Sequence, residues 1–191
     1  VNQAQQFFSI EHPFLVSIEM MADGEELPTY NEFQAQIPPQ FKLATHINHI
    51  ETKALRPLRN IGENAHDLAE FLNFQSKKID LMMNYILTLG SEKQQRLTGK
   101  SFGGSNIAFF SPTYLNDSAL VKLRIFIEDN NCAIYCIGRI VNCQTHKNQW
   151  LVTIEFAMID DEDQEQLVRT SLHVQSNQLQ ERARNRLKQQ V

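Results

Sequence analysis

The 191-residue chain lacks any apolar run approaching the ~18 residues that span a bilayer. Its first residues also do not follow the basic-then-apolar order of a secretory signal. These absences predict a protein that works in the cytoplasm without inserting into a membrane. Cysteine is scarce: Cys132, Cys136 and Cys143 are the only three. So small and odd a number argues against a disulfide framework and suits a reducing compartment. Positive charge is not in surplus either, since 18 Lys and Arg against 22 Asp and Glu leave a net −4. That balance speaks against duplex DNA, whose phosphates demand clustered cations. What is present is 42% hydrophobic and 21% charged residues. This suffices for one packed domain plus an extension, or for two small domains.

The chain opens with a period of two. Phe14, Val16, Ile18 and Met20 alternate with Leu15, Ser17 and Glu19, which predicts a strand over 12–20. Asp23-Gly24 and Pro28 break it. Pro38-Pro39 suits a first helical turn, and Leu43, Ile47, Ile50 and Ala54 follow at helical spacing. Pro57 should kink that helix and Gly62 close it. Asn64 is a candidate cap for the next helix, with Asp67 three residues on.

From Leu68 to Leu89 the side chains at Leu68, Leu72, Gln75, Ile79, Met82, Ile86 and Leu89 recur at alternating spacings of four and three. A period of about 3.5 keeps one stripe facing a partner helix. Leu72, Ile79 and Ile86 occupy the a positions, and Leu68, Gln75, Met82 and Leu89 the d positions. Gln75 is a polar register device within the seam. A helix over 65–89 is roughly 37 Å long, and two such helices with a short connection predict an antiparallel hairpin. The spacing fits a seam between copies of the chain as well as one inside a hairpin.

After Gly90 the period returns to two. Strands are predicted at 94–100, 105–110, 120–128, 132–143 and 149–158, with turns at Gly103-Gly104, Asn116-Asp117 and Asp129-Asn130-Asn131. Consecutive short strands with tight turns imply an antiparallel barrel or sandwich. Asp160 is placed to cap a final helix over 160–188, whose apolar stripe would run through Val168, Leu172, Leu179, Ala183 and Leu187.

Motifs for bond chemistry are weak. Gly99-Lys100-Ser101 imitates the end of a P-loop, but Gln94 stands where that motif needs glycine and a strand pattern follows instead of a helix. His46 and His49, near Glu63 and His66, read as exposed helical histidines and not as a metal set. Cys132 and Cys136 share a strand face about 13 Å apart, too far to bridge, and should pack in the core; Cys143 has the opposite parity. The acidic run 160–165 lacks the spacing of a calcium loop. Arg182, Arg184, Arg186 and Lys188 either complement the negative end of the helix or, through Arg182 and Arg186, form an anion site. Neither a nucleophile motif nor a carboxylate pair stands out, so no enzyme is expected and no cofactor or metal.

The stretch 95–186 resembles the PilZ domain, the bacterial receptor module for cyclic di-GMP. The likeness rests on Thr98-Gly99-Lys100-Ser101-Phe102-Gly103-Gly104, on Ile154-Glu155-Phe156-Ala157-Met158-Ile159-Asp160, and on the closing arginine-rich helix. Ser101 and Gly104 match the serine and glycine of the family's DxSxxG or NxSxxG pattern, while Gly99 stands at its acidic or amide position. The family's RxxxR is not found upstream: Lys93 and Arg96, like Arg56 and Arg59, are three apart, and the only such pair is Arg182 with Arg186. The helical first half looks like the long PilZ variants whose heptad helices form dimers or tetramers, some without the ligand motifs.

The expected fold is α+β: a small antiparallel PilZ-like barrel with a C-terminal helix, and a long helical hairpin N-terminal to it or inserted in it. The division is 1–90 for strand plus hairpin and 91–191 for barrel plus helix. The expected role is non-enzymatic signalling by a homo-oligomer, dimeric or tetrameric, with an unidentified downstream protein partner. Cyclic di-GMP is the candidate ligand, at Arg96, Ser101, Gly103, Gly104, Arg182 and Arg186. The alternatives are a ligand-independent scaffold, and a barrel that stacks single-stranded nucleic acid on Phe102, Phe109, Phe110 and Tyr114.

Overall fold

The structure, a computed structural model, describes residues 9–22, 24–47, 66–89, 96–127 and 132–188. Ten elements follow in order. They are β1 (Ile10–Met20), α1 (Tyr30–Gln36), α2 (39–47), α3 (His66–Leu89), β2 (Leu97–Phe102), β3 (Asn106–Ser111), β4 (Leu120–Ile127), β5 (Cys132–His146), β6 (Gln149–Met158) and α4 (Asp161–Lys188). The strands close into an antiparallel barrel in the order β1-β2-β3-β6-β5-β4. Closure gives each of the six strands two neighbours. β1 sits between β2 and β4, with Leu15 opposite both Thr98 and Phe126. The helical stretch is therefore inserted between the first two strands of the barrel.

The alternation of β1 explains its place. Phe14 and Val16 are buried in the barrel core with Phe102, Ile107, Phe109, Leu123, Ile125 and Ile154. Pro13, which cannot donate to a ladder, falls at the irregularity between Glu11 and Phe14. α4 lies against the barrel and sends Leu167 and Val174 into the same core.

A second apolar cluster covers the outside of β4 and β5. Phe33 of α1, Phe41 and Ala44 of α2 and Met83 of α3 pack with Phe126, Ala133, Tyr135 and Ile137. β5 is thus buried on both faces over its first seven residues. Phe33 stacks on Tyr135 with ring centroids 6.0 Å apart.

Several expectations are corrected. α1 falls between Pro28 and Pro38, where the apolar spacing predicts no helix. Its signal was Thr29 with Glu32, whose side chains cap each other's backbone N–H groups. In α2 the packed side chains are Phe41 and Ala44, whereas Leu43 is exposed. In α4 the packed face holds Leu167, Thr170, Ser171 and Val174, and of the expected stripe members Leu172 and Leu179 are exposed while Val168 is partly exposed beside Gly104. Cys143 packs against the barrel core in spite of its parity, because a bulge between Ile140 and Asn142 shifts the alternation of β5. β5 also runs on to His146, and the strands expected at 94–100 and 105–110 lie at 97–102 and 106–111. Ile50, Ala54, Pro57, Gly62, Asn64 and the α2–α3 connection fall outside the described residues.

Candidate functional site

The segment matched to a ligand motif is the end of β2 and its turn into β3. Gly99-Lys100-Ser101 is strand, which removes the P-loop reading on geometry. Gly99 is buried, and a Cβ placed on it would overlap the ring of Phe14. No side chain fits there unless that core ring moves. A register shift between Gly99 and Ser101 turns the alternation, so Phe102 enters the core while Ser101 pairs with Ala108 and Glu11. Lys100 forms a 3.5 Å ion pair with Glu11, which sets a carboxylate beside Ser101's neighbour.

The glycines that follow have structural tasks. The Gly103 N–H donates to the Asn106 carbonyl at 2.9 Å. The Gly104 carbonyl accepts from Gln164 Nε2 at 2.9 Å, and a Cβ at Gly104 would crowd Val168 of α4. The turn is therefore pressed against the first turns of α4.

The cationic candidates lie elsewhere. Arg96 precedes β2, five residues and roughly 16 Å of strand from Ser101, with its guanidinium 5.2 Å from the centre of the Phe126 ring. Arg182 and Arg186 are exposed on the far part of α4. That part begins beyond Gln178, whose Nε2 donates to the Glu11 carbonyl at 2.8 Å. The structure thus brings Ser101, Gly103 and Gly104 together in one segment, and holds Arg96 and the Arg182/Arg186 pair apart from it.

The first turn of α4 is where the inserted helices attach. Asp160 caps it by accepting the Glu162 N–H at 3.0 Å. From α1, Tyr30 Oη donates to the same carboxylate at 2.9 Å, and Gln34 Nε2 joins it. From α2, the Thr45 hydroxyl donates to buried Asp163. The acidic run is therefore used for capping and for tethering helices. Burial pushes the thiols of Cys132 and Cys136 up, which suits core packing and not nucleophilic attack. Among the described residues no group of three or more metal-ligating side chains gathers, and His46 is exposed. Phe102 and Phe109 are fully buried and cannot stack a base. Phe110 lies against His146 and Tyr114 against Trp150.

The other site is the outward face of α3. In the single chain Leu68, Ile79, Met82 and Ile86 are 51%, 42%, 65% and 39% exposed. Leu72 and Gln75 are half-buried, and the side chain of Leu89 is outside the described set. Met83 on one flank is buried in the outer cluster, whereas Phe71 and Phe74 widen the exposed face on the other. Those two phenylalanines were missed because a strict seven-residue template skips them.

Residues 89–173 match the family described as the PilZ domain. The chain carries a PilZ-homologous region. Its matched stretch holds β2 to β6 and the first half of α4, and leaves β1, α1, α2 and all of α3 but Leu89 outside. Two solved structures are similar to most of the chain. A tetrameric PilZ domain from Xanthomonas campestris, described as self-assembled via an unusual helical bundle, is 15% identical, with a TM-score of 0.56 over 92% of each chain. The inhibitor of motility (MotI/DgrA) from Bacillus subtilis is 11% identical, with a TM-score of 0.48. The match covers 92% of this chain but only 53% of that protein. No curated protein sequence matches the chain. No described helix is long and apolar enough to cross a membrane.

Proposed function

We propose that this protein is a non-enzymatic PilZ-type signalling scaffold that assembles with copies of itself through α3. The observation that carries this reading is the exposure of the heptad seam. Ile79, Met82 and Ile86 stand out from the single chain at a coiled-coil spacing. Contiguous exposed apolar side chains of this kind mark an interaction surface. The Xanthomonas campestris structure is described as joined by a helical bundle, and the same mode of assembly is our reading for this chain.

Cyclic di-GMP remains the ligand that the PilZ relationship brings into question. The geometry favours the ligand-independent form of the reading, because Phe14 occupies the space of a side chain at 99 and the arginines sit away from Ser101. Phosphate clamping by paired guanidinium groups needs them convergent.

Two measurements test the proposal on the full chain. Ile79→Asp places a charge in the seam and should lower the mass in sedimentation equilibrium, with the melting temperature falling only by the stabilisation that assembly supplies, since the residue is exposed in the protomer. An unchanged mass would refute assembly through α3. Calorimetric titration with cyclic di-GMP should give no heat, and millimolar ligand should leave the melting temperature in place. Micromolar binding lost in Arg96→Ala or Arg182→Ala would instead make the protein a receptor with a rearranged clamp.

A further inference from the structure

α4 has two faces, and the barrel uses only one of them. Opposite the buried Leu167 and Val174, the side chains of Val168, Leu172 and Leu179 are 42%, 54% and 57% exposed. At 3.6 residues per turn these three fall on a common stripe, which Ala183 continues. The stripe has an acidic end at Glu165 and a basic end at Arg186, both exposed. Between its two apolar halves lie Gln175 and Ser176.

The order is acidic, apolar, polar, apolar, basic. It reads the same when the helix is turned end for end and the charges are exchanged. A two-fold axis between Gln175 and Ser176 sets Leu172 opposite Leu179, Val168 opposite Ala183 and Glu165 opposite Arg186. We infer that α4 pairs in antiparallel register with α4 of a second copy of this chain. A face that complements itself under a two-fold rotation is what an isologous dimer contact requires.

The charges select this occupant. A parallel pair would set Glu165 beside Glu165 and Arg186 beside Arg186, at a cost. α3 of another copy has no basic residue in its last turn to answer Glu165. Glu165 already meets Arg169 on its own helix, an exposed pair of small worth, so it is available to a second cation. The contact leaves the α3 seam free and borders the β2–β3 turn only at Val168, which lies beside Gly104; it does not depend on the function proposed above. A chain with both contacts would build an assembly of twice the size that α3 alone gives.

Sedimentation equilibrium on the full chain, with α3 intact and again with Ile79→Asp, counts the two contacts separately. Leu172→Glu with Leu179→Glu should halve the mass of the assembly in either background. An unchanged mass in both backgrounds would overturn the proposal. Arg186→Glu should weaken the pairing roughly tenfold, because two-fold symmetry doubles the effect of each exposed charge. Glu165→Arg with Arg186→Glu should restore it, since the swapped pair is complementary again. Failure of the swap to restore association would overturn the antiparallel self-pairing and leave the stripe to another partner. If a leucine variant lowers the melting temperature, Leu172→Gln with Leu179→Gln carries the same test.

Discussion

The Thr45 hydroxyl donates a 2.7 Å hydrogen bond to Oδ1 of Asp163, joining α2 to the first turn of α4 across 118 residues of sequence. Asp163 is only 3% exposed, and burial pushes its carboxyl up to about 7. Asp160 and Glu162 add to that rise, and the bond from Thr45 opposes it. An unfolded aspartic acid loses its proton near ~4. The native state therefore holds an extra proton between those values, so this residue's contribution to stability is complete below pH ~4 and is lost as pH rises through about 7. Asp163→Asn keeps an acceptor for Thr45 and removes the charge. It should melt higher than the parent at pH 8 and show a flatter profile from pH 5 to pH 8. Parallel profiles for the two proteins would mean that the titration lies elsewhere.

Gly99 makes a second prediction. Restoring the family's acidic residue with Gly99→Asp would drive a side chain into the Phe14 ring, which itself packs edge-on to Phe102 at 5.8 Å. Overpacking of this kind costs about 1–3 kcal/mol, and a buried unpaired carboxylate adds to it. Urea denaturation should record that loss, and no affinity for cyclic di-GMP should appear in exchange. A stable variant that gains the ligand would show that the strand can open at this point.

Ser17 gives a test of opposite sign. Its hydroxyl is fully buried on β1, opposite Arg124, and has no hydrogen-bond partner among the described residues. Such a group costs about 1–3 kcal/mol relative to a satisfied one. Ser17→Ala should therefore raise the melting temperature by ~2–4 °C for each kcal/mol recovered in a chain of this size. A lowered melting temperature would mean that the hydroxyl is bound by a water or by a partner group in solution.

The barrel and the heptad helix were legible because their signals are periodic and long. Phe14 and Val16 alternate into the core, and Ile79 to Ile86 keep a helical stripe. The face of α4 was not legible for a chemical reason. The barrel chose Leu167, Thr170, Ser171 and Val174 over the greasier Val168, Leu172 and Leu179. Small hydroxyl residues let a helix lie close, and Ser171 satisfies its own hydroxyl on the Val168 carbonyl at 2.7 Å. Hydrophobicity alone assigns such a helix back to front. The tether from Thr45 to Asp163 was invisible for another reason: nothing local links a threonine in one helix to an acid more than a hundred residues away. The candidate ligand residues were found as letters, yet spacing could not reveal that a bulge would turn Ser101 or that Phe14 would fill the space at Gly99.

Arg96 separates a structural role from a ligand role. Its guanidinium lies over Phe126, itself 8% exposed, where the outer helical cluster meets the barrel. A cation over a partly desolvated ring is worth about 0.5–2 kcal/mol, and the side-chain stem adds packing. Arg96→Ala should lower stability by roughly 1 kcal/mol in denaturant, and Arg96→Lys should lose less because it keeps the charge and most of the stem. Arg182→Ala, on an exposed turn of α4, should change stability by less than ~0.5 kcal/mol. If both alanine variants are equally stable, Arg96 is not a packing residue, and its position at the mouth of β2 would have to be explained by something it binds.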